Sequence, residues 1–137
     1  MTDIYFMDTF AGMGGLRIGV EKALIASGYN PICVKTSEIK SAALTTLRTI
    51  YPEEEFEYTD ITKVDTSELP HIDGLIGGFP CQSFSYAGKR KGLEDTRGTL
   101  FYELARIMKE KQPQWAIFEN VKGLLTHDGG QTFETIL

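Results

Sequence analysis

Residues 4–15 read Ile4-Tyr5-Phe6-Met7-Asp8-Thr9-Phe10-Ala11-Gly12-Met13-Gly14-Gly15, an apolar run that leads into a glycine-rich turn. The run up to Phe10 predicts a strand, and residues 14–27 predict a helix whose apolar side chains share one face. Glycines at such a turn let the backbone approach a ligand closely. The turn differs from the dinucleotide-binding fingerprint, because its glycines stand at the first, third and fourth positions instead of the first, third and sixth.

Strands and helices continue to alternate along the chain. Further strands are predicted at residues 32–37, 56–61, 72–77 and 115–119, and further helices at residues 40–50 and 98–110. This alternation predicts an α/β fold of the doubly wound, Rossmann-like type, with a parallel sheet in the strand order 3-2-1-4-5. The glycine-rich turn and the loop after the fourth strand then meet at the crevice between strands 1 and 4.

The composition is that of a single ordinary globular domain. The chain has 137 residues, a net charge of −5, 42% hydrophobic residues and two cysteines. We see no signal peptide and no membrane span, and two cysteines suggest a reducing compartment, so we expect a cytoplasmic protein. The acidic balance disfavours a surface that binds nucleic acid all over, whereas Lys89-Arg90-Lys91 and Arg97 form a candidate phosphate contact.

Two acidic residues end predicted strands. Glu38 follows the second strand, where an acid in a Rossmann fold is placed to bind ribose hydroxyls. Asp60 ends the third strand and is placed to accept a hydrogen bond from an adenine amino group. Each acid singly is better explained as a solvated surface carboxylate, but together with the glycine-rich turn the two acids favour an adenosine-containing ligand. The absence of a phosphate-binding loop suits S-adenosylmethionine.

A cysteine and a glutamate follow the last two predicted strands. Cys81 lies in the loop Phe79-Pro80-Cys81-Gln82-Ser83-Phe84-Ser85, and Glu119 ends the fifth strand. We expect Glu119 to face the same crevice as Cys81, flanked by Phe118 and Val121 in apolar surroundings that favour a protonated carboxyl group. A strand-end carboxylate that caps the next turn is the alternative interpretation.

These groups suit methyl transfer to an aromatic carbon such as carbon 5 of cytosine. That carbon is a poor nucleophile until a thiolate adds to carbon 6 and makes carbon 5 enamine-like. An acid hydrogen-bonded to N3 stabilises the charge that develops during the addition. A sulfonium methyl donor then alkylates carbon 5, and loss of the carbon 5 proton expels the thiol.

Four motifs make the chain similar to the DNA (cytosine-5) methyltransferases. Residues 8–15 resemble that family's cofactor loop, and residues 78–85 resemble its catalytic loop. Asp95-Thr96-Arg97-Gly98-Thr99-Leu100-Phe101 and Phe118-Glu119-Asn120-Val121 resemble the next two motifs in order. The resemblance implies a Rossmann-like, S-adenosylmethionine-dependent methyltransferase fold and an enzyme that methylates carbon 5 of cytosine in DNA, as in a restriction-modification system.

The resemblance also implies a role for each site residue. Cys81 is the nucleophile and Glu119 the partner of cytosine N3, while Pro80 and Asn120 shape the pocket. The S-adenosylmethionine site is implied at Asp8, Phe10, Ala11, Gly12, Gly14, Gly15, Leu16, Glu38, Ile39, Asp60, Ile61, Gly78 and Leu100. Contacts to double-stranded DNA with its cytosine flipped out are implied at Gln82, Ser83, Ser85, Lys89, Arg90 and Arg97. We expect no metal site.

Later motifs of that family are not found in this sequence. They are a Gln-x-Arg-x-Arg motif, a variable target-recognition segment and a last motif that completes the cofactor pocket. We therefore expect residues 1–137 to be the N-terminal part of the catalytic domain, to lack the last strands of the sheet and to need a complementary C-terminal polypeptide. The uncovered edge of the fifth strand and the apolar residues Phe133, Ile136 and Leu137, which nothing later buries, predict that partner or self-association.

Two other functions stay open. A non-catalytic S-adenosylmethionine-binding or assembly module would carry the same motifs, and tRNA cytosine-5 methyltransferases share the Pro-Cys-Gln loop. A redox thiol is disfavoured, because the sequence has no Cys-x-x-Cys motif. Cys33 and Trp115 are interpreted as packing residues of the sheet.

Overall fold

The computed structural model describes residues 1–80 and 100–137. Its centre is a four-stranded parallel sheet in the order β2-β1-β3-β4, with β1 (Thr2–Thr9), β2 (Tyr29–Ser37), β3 (Gly74–Gly78) and β4 (Trp115–Glu119). The α-helices are α1 (Gly15–Ala26), α2 (Ser41–Ile50), α3 (Leu100–Lys111) and α4 (Gln131–Ile136). Short 3-10 turns cover Ile61–Lys63, Thr66–Glu68, Lys122–Leu125 and His127–Gly130.

Helices cover both faces of the sheet and create two cores, and a third apolar cluster, of Leu44, Leu47 and Phe56, joins α2 to the segment that follows it. The larger core joins the sheet to α3 and includes Met7, Leu75 and Ile107. The smaller core joins the opposite face to α1 and includes Phe6 and Val20. Successive side chains of a strand point to opposite faces, so the adjacent residues Phe6 and Met7 contribute to different cores. Packing on both faces therefore holds the ends of the strands, where the candidate functional site lies, in defined positions.

The predicted third strand, residues 56–61, is wrong, because that segment is not a strand. One end of it is attached to β2: Thr59 N donates to Glu38 O at 2.9 Å, and Ser37 Oγ donates to Thr59 O at 3.0 Å. A cavity of about 660 Å³ lies between the rest of the segment and β2. Four glutamates within residues 53–57 disfavour a strand, since glutamate is depleted in strands and like charges repel.

The other predicted elements form close to their predicted positions. The fourth and fifth predicted strands are β3 and β4, and the fifth agrees residue for residue. Helices α1 and α2 each begin one residue after their predicted starts, and α3 is described from Leu100 onwards. Strand β2 is longer than predicted, because it begins at Tyr29 directly after Gly28, whose φ of 84° turns the chain at the end of α1.

Trp115 and Cys33 are packing residues, as predicted. Both pack against the smaller core. The indole of Trp115 lies directly over Gly74, where a Cβ would be 2.1 Å from a ring carbon. A larger residue at position 74 would therefore displace Trp115 and separate β3 from β4.

Strand β4 forms one edge of the described sheet, and its apolar surface is partly uncovered. Ile117 is 44% exposed. The apolar tail behaves differently from expectation, because Phe133 and Ile136 pack against the larger core while Leu137 stays exposed. The chain reverses at Gly129-Gly130, both with positive φ, and this turn folds α4 back. No helix within residues 1–80 and 100–137 is long and apolar enough to cross a membrane.

Candidate active site

The candidate site lies where β1, β3 and β4 end at one edge of the sheet. The strand register pairs Thr9 with Gly77, and Gly78 with Glu119. Thr9 Oγ1 donates to Ile76 O at 2.7 Å, and a Cβ at Gly77 would lie 2.1 Å from that hydroxyl oxygen. Glycine at position 77 therefore lets β1 and β3 approach closely, which brings together the turn after β1 and the loop after β3.

The glycine-rich turn after β1 has left-handed backbone at three positions. The φ angle is 51° at Phe10, 55° at Gly12 and 82° at Gly14. This conformation suits glycine but strains Phe10, and strained non-glycine residues cluster at functional sites. Gly14 also touches α2, because a Cβ there would lie 3.0 Å from Leu47 Cδ2. Glycine is thus required at this turn by backbone angle and by space.

Glu38, directly after β2, is held in place by backbone groups. Its buried carboxylate accepts from Gly12 N at 2.7 Å through Oε2, and from Ile39 N and Lys40 N at 2.8 Å through Oε1. A carboxylate offers about four acceptor positions, so Oε2 retains one. Glu38 therefore links the glycine-rich turn to β2 and keeps an acceptor that a ribose hydroxyl requires.

Asp60 lies beside Glu38 in the loop that replaces the predicted third strand. Its Oδ1 accepts from Thr62 Oγ1 at 2.8 Å and from Thr62 N at 3.0 Å. These hydrogen bonds hold the pKa of Asp60 below its ordinary value. In the described part of the chain Oδ2 has no hydrogen-bond partner, so an ionised oxygen is available to a donor such as an aromatic amino group.

The other residues implied for the cofactor differ in exposure. Ile39 is 53% exposed, whereas Ile61 is buried in the larger core. Phe10 and Leu100 pack against the larger core, and Leu16 packs against the smaller one. Ala11 and Gly78 are half-buried, Gly14 is buried and Gly15 is exposed. Ile39 is thus the apolar side chain of this set with the most surface available to cover a ligand.

Asp8 is a buried carboxyl group beneath the glycine-rich turn. Its Oδ2 has no hydrogen-bond partner within the described residues. Burial raises the pKa of Asp8 to about 7; the charge of Arg17 opposes this shift, and the charges of Glu21 and Glu38 add to it. Asp8 therefore exchanges a proton near neutral pH.

Glu119 lies at the end of β4, next to the start of the loop that follows β3. Its Oε2 lies 3.1 Å from the position that a Cβ would take at Gly78. Glu119 is exposed and Val121 is 60% exposed, which corrects the expectation of apolar surroundings for this carboxyl group. The physical reason is that β4 is an edge strand, whose outer side no described element covers.

Asn120 joins β4 to the loop after β3. Its Nδ2 donates to Phe79 O at 2.8 Å, and its Oδ1 accepts from Val121 N at 2.8 Å. The Phe79 carbonyl belongs to the peptide bond before Pro80, which is half-buried. Asn120 therefore sets where the loop begins. The predicted residues Cys81, Gln82, Ser83, Ser85, Lys89, Arg90 and Arg97 lie outside the described residues.

Arg17 was not among the residues that the motifs single out. Its side chain is 2% exposed, and it binds the carboxylates of Glu21 and Glu54. A sequence signal exists: Arg17 stands three residues before the core residue Val20, on the buried face of α1. An arginine on that face requires carboxylate partners, because an unpaired buried charge is costly.

Two solved structures share this fold. A DNMT2 variant from Spodoptera frugiperda has a TM-score of 0.71 and 22% identity over 98% of this chain and 40% of that chain. The S. pombe Dnmt2 methyltransferase has a TM-score of 0.69 and 17% identity over 97% of this chain and 41% of that chain. Identities this low show the fold alone. The fold is the Rossmann-like fold of methyltransferases, which confirms the predicted class.

Sequence comparison defines the family. A family model for the C-5 cytosine-specific DNA methylases matches residues 4–137. The Type II methyltransferase M.NlaIV from Neisseria lactamica is 55% identical over 128 residues, and M.HgiCI from Herpetosiphon aurantiacus is 50% identical over 132 residues. These matches cover 93% and 96% of this chain but 30% of each relative. The chain belongs to the C-5 cytosine-specific DNA methylase family, as its motifs predicted.

Proposed function

We propose that this chain carries the cofactor-binding and nucleophile-bearing part of an enzyme that methylates carbon 5 of cytosine in DNA. The observation that carries the proposal is the junction of β3 and β4. The Glu119 carboxylate lies against Gly78, and Asn120 binds the carbonyl of Phe79, two residues before Cys81. An acid and a thiol on adjoining strand ends suit attack on carbon 6 of cytosine with proton donation to N3.

The acceptors at the ends of β2 and of the following loop fit S-adenosylmethionine. Its ribose hydroxyls and its adenine amino group are donors, and Glu38 Oε2 and Asp60 Oδ2 are acceptors with capacity left in the described part of the chain. The exposed side chain of Ile39 is available to cover an adenine ring. When bound, S-adenosylmethionine supplies an electrophilic methyl group on a positively charged sulfur.

The remaining chemistry belongs to residues of the chain. The Cys81 thiolate forms a bond from Sγ to carbon 6, while Glu119 donates its proton to N3 and so stabilises the negative charge of the adduct. After carbon 5 has gained its methyl group, that carbon loses its proton to solvent water and the Sγ to carbon 6 bond breaks. N3 returns its proton to Glu119, so that the acid, the thiolate and the aromatic ring are all restored. Pro80 and Asn120 hold the loop that carries the nucleophile.

The substrate is double-stranded DNA with the target cytosine flipped out, and we propose the loop residues Gln82, Ser83, Ser85, Lys89, Arg90 and Arg97 as its contacts. The uncovered edge of β4 favours a complementary C-terminal polypeptide or a second copy of the chain as a partner. The chain spans 30% of the length of its relatives, which are named as Type II methyltransferases. The edge of β4 exposes Ile117, and an added strand or a second copy would cover it. A restriction-modification role follows from the same relatives.

Trapping on 5-fluorocytosine DNA tests this function. Fluorine cannot leave carbon 5 as a proton does, so the thiol adduct persists after methyl transfer. We expect a denaturation-resistant protein–DNA adduct that requires S-adenosylmethionine. It should form when the part of M.NlaIV outside the aligned 30% is supplied. The control is the same part of M.NlaIV without this chain. Lack of adduct with the partner present would refute the DNA-methylating function, and binding of S-adenosylmethionine alone would then favour the non-catalytic module.

Replacement of Glu119 should slow adduct formation. Glu119→Gln should lower the rate of adduct formation by about 10²-fold, because the amide cannot transfer a proton to N3. Glu134→Gln, an exposed glutamate on α4, is the matched control and should retain the wild-type rate. Rates are measured by denaturing gels at a series of times. Wild-type kinetics in Glu119→Gln would mean that another group protonates N3.

A further inference from the structure

Side chains from three helices hold residues 51–61, the segment that leads to Asp60. In the described part of the chain, one backbone hydrogen bond, from Thr59 N to Glu38 O, joins this segment to the end of β2. Ser37 Oγ also donates to Thr59 O, and Phe56 is buried against Leu44 and Leu47. Three arginines add further attachments. Arg17 of α1 binds Glu54, Arg48 of α2 donates to Phe56 O, and Arg106 of α3 donates to Ile61 O. These three arginines, called the arginine clamp below, therefore contact a segment that has no backbone hydrogen-bond ladder of a third strand.

Arg17 is the most deeply buried member of this clamp. Its Nη1 donates to Glu54 Oε2 at 2.9 Å, and its Nη2 donates to Glu54 Oε1, a two-point contact of fixed geometry. Its Nε donates to Glu21 at 2.7 Å, and its guanidinium carbon lies 3.9 Å from the ring centre of Tyr51. The side chain of Arg17 is 2% exposed and that of Glu54 is 40% exposed, so the two-point geometry of the contact, on a buried guanidinium, sets where the Glu54 carboxylate lies.

The clamp connects the two halves of the adenosine site. Arg17 stands two residues after Gly15, at the glycine-rich turn, and Glu54 stands six residues before Asp60. We propose that Arg17 and Glu54 are positioning residues that hold Asp60 at the distance from the glycine-rich turn where its Oδ2 accepts from the adenine amino group. This inference rests on the proposed function and adds how the cofactor's base is selected.

The base of the nucleoside reports the position of Asp60. Adenine presents an amino group to Asp60 Oδ2, whereas hypoxanthine presents a carbonyl oxygen that a carboxylate repels. A site built to pair a donor rejects an analogue that lacks it, and this rejection requires the acceptor to be in place. Loss of the clamp should therefore lower the ratio of affinities for the two bases strongly, while it lowers the stability of the folded chain only slightly.

The experiment measures binding of S-adenosylhomocysteine and S-inosylhomocysteine to the full chain by calorimetry. We expect the wild type to prefer the adenosine compound by about tenfold or more. Glu54→Ala should bring this ratio close to one. Glu53→Ala, the exposed neighbour that loses the same charge, should keep the wild-type ratio. A wild-type ratio in Glu54→Ala, or an equal loss in Glu53→Ala, would overturn the proposal.

A second measurement needs no ligand. Hydrogen exchange at the Thr59 amide, which donates to Glu38 O, should accelerate about tenfold in Glu54→Ala, while amides in the β1–β2 ladder keep their protection. Unchanged exchange at Thr59 would also overturn the clamp. Wild-type chain that binds neither compound, even with the complementary part of M.NlaIV present, would instead refute the cofactor site of the proposed function, so the two failures are distinguishable.

Discussion

The Cys81→Ala variant should lose the covalent DNA adduct completely and lower methyl transfer by about 10⁴-fold or more. Without a thiolate, carbon 6 of cytosine has no nucleophile, and carbon 5 stays too weak to accept a methyl group. The measurement is 5-fluorocytosine trapping with the C-terminal polypeptide present, together with transfer of a labelled methyl group to unmodified DNA. Both signals should disappear, while binding of S-adenosylhomocysteine, measured by calorimetry, stays within about twofold, since that ligand is held mainly by other residues.

Cys33→Ala supplies the matched control, because it removes the other cysteine of the chain. Burial raises the pKa of the Cys33 thiol to about 11, so at neutral pH it is protonated and a poor nucleophile. Cys33 packs against the smaller core, and its replacement should lower stability slightly while adduct formation continues. An adduct that survives in Cys81→Ala and disappears in Cys33→Ala would reverse the assignment of the nucleophile.

Replacing Asp8 by asparagine should stabilise the protein strongly at alkaline pH. The pKa of Asp8 rises from the ordinary 3.8 to about 7 on folding, mainly through burial. The folded state therefore binds the proton more tightly, and stability falls as pH rises from about 4 to 7. Below pH 4 the carboxyl group is mostly protonated in both the folded and the unfolded state, so its burial does not lower the free energy of unfolding. Asp8→Asn should gain about 4 kcal/mol over the wild type at pH 8 and about zero at pH 4.

Urea unfolding at a series of pH values measures this difference. The comparison between variant and wild type cancels the titration of the carboxylates that do not interact with Asp8. Asp3→Asn, on the exposed end of the same strand, is the control and should show no comparable gain at pH 8. Parallel stability curves for Asp8→Asn and wild type between pH 4 and 8 would show that Asp8 is ionised throughout in the folded chain.

Periodicity and motifs were enough to predict most of the fold. The apolar run 115–119 is β4, and the glycine-rich turn lies between β1 and α1 as predicted. Such elements depend on local sequence, since an apolar run bounded by turn residues has few alternatives. The residues that meet at the strand ends, Glu38 beside Gly12 and Glu119 beside Gly78, follow from a parallel sheet once its order is known.

Contacts between distant segments could not be predicted in this way. Asn120 binds Phe79 across 41 positions, and Arg17 binds Glu54 across 37, and neither spacing leaves a periodic signal. Residues 56–61 include strand-forming side chains, but the segment does not pair with β2 as a strand. Charge repulsion between neighbouring glutamates disfavours that pairing, and the arginine contacts hold the segment in another position. The exposure of Glu119 depends on what covers β4, and the sequence of β4 itself does not contain that information.

The position of β1 inside the sheet has a consequence for synthesis of the protein on the ribosome. Of the four described strands, β1 is translated before the others and can pair with β2 early, but its other neighbour contains Ile76, which accepts a hydrogen bond from Thr9 across 67 positions. Until β3 has emerged, one edge of β1 and the apolar side chain of Met7 stay uncovered. We therefore expect misassembly and chaperone binding of the nascent chain to be most frequent during this interval, before β4 has been translated.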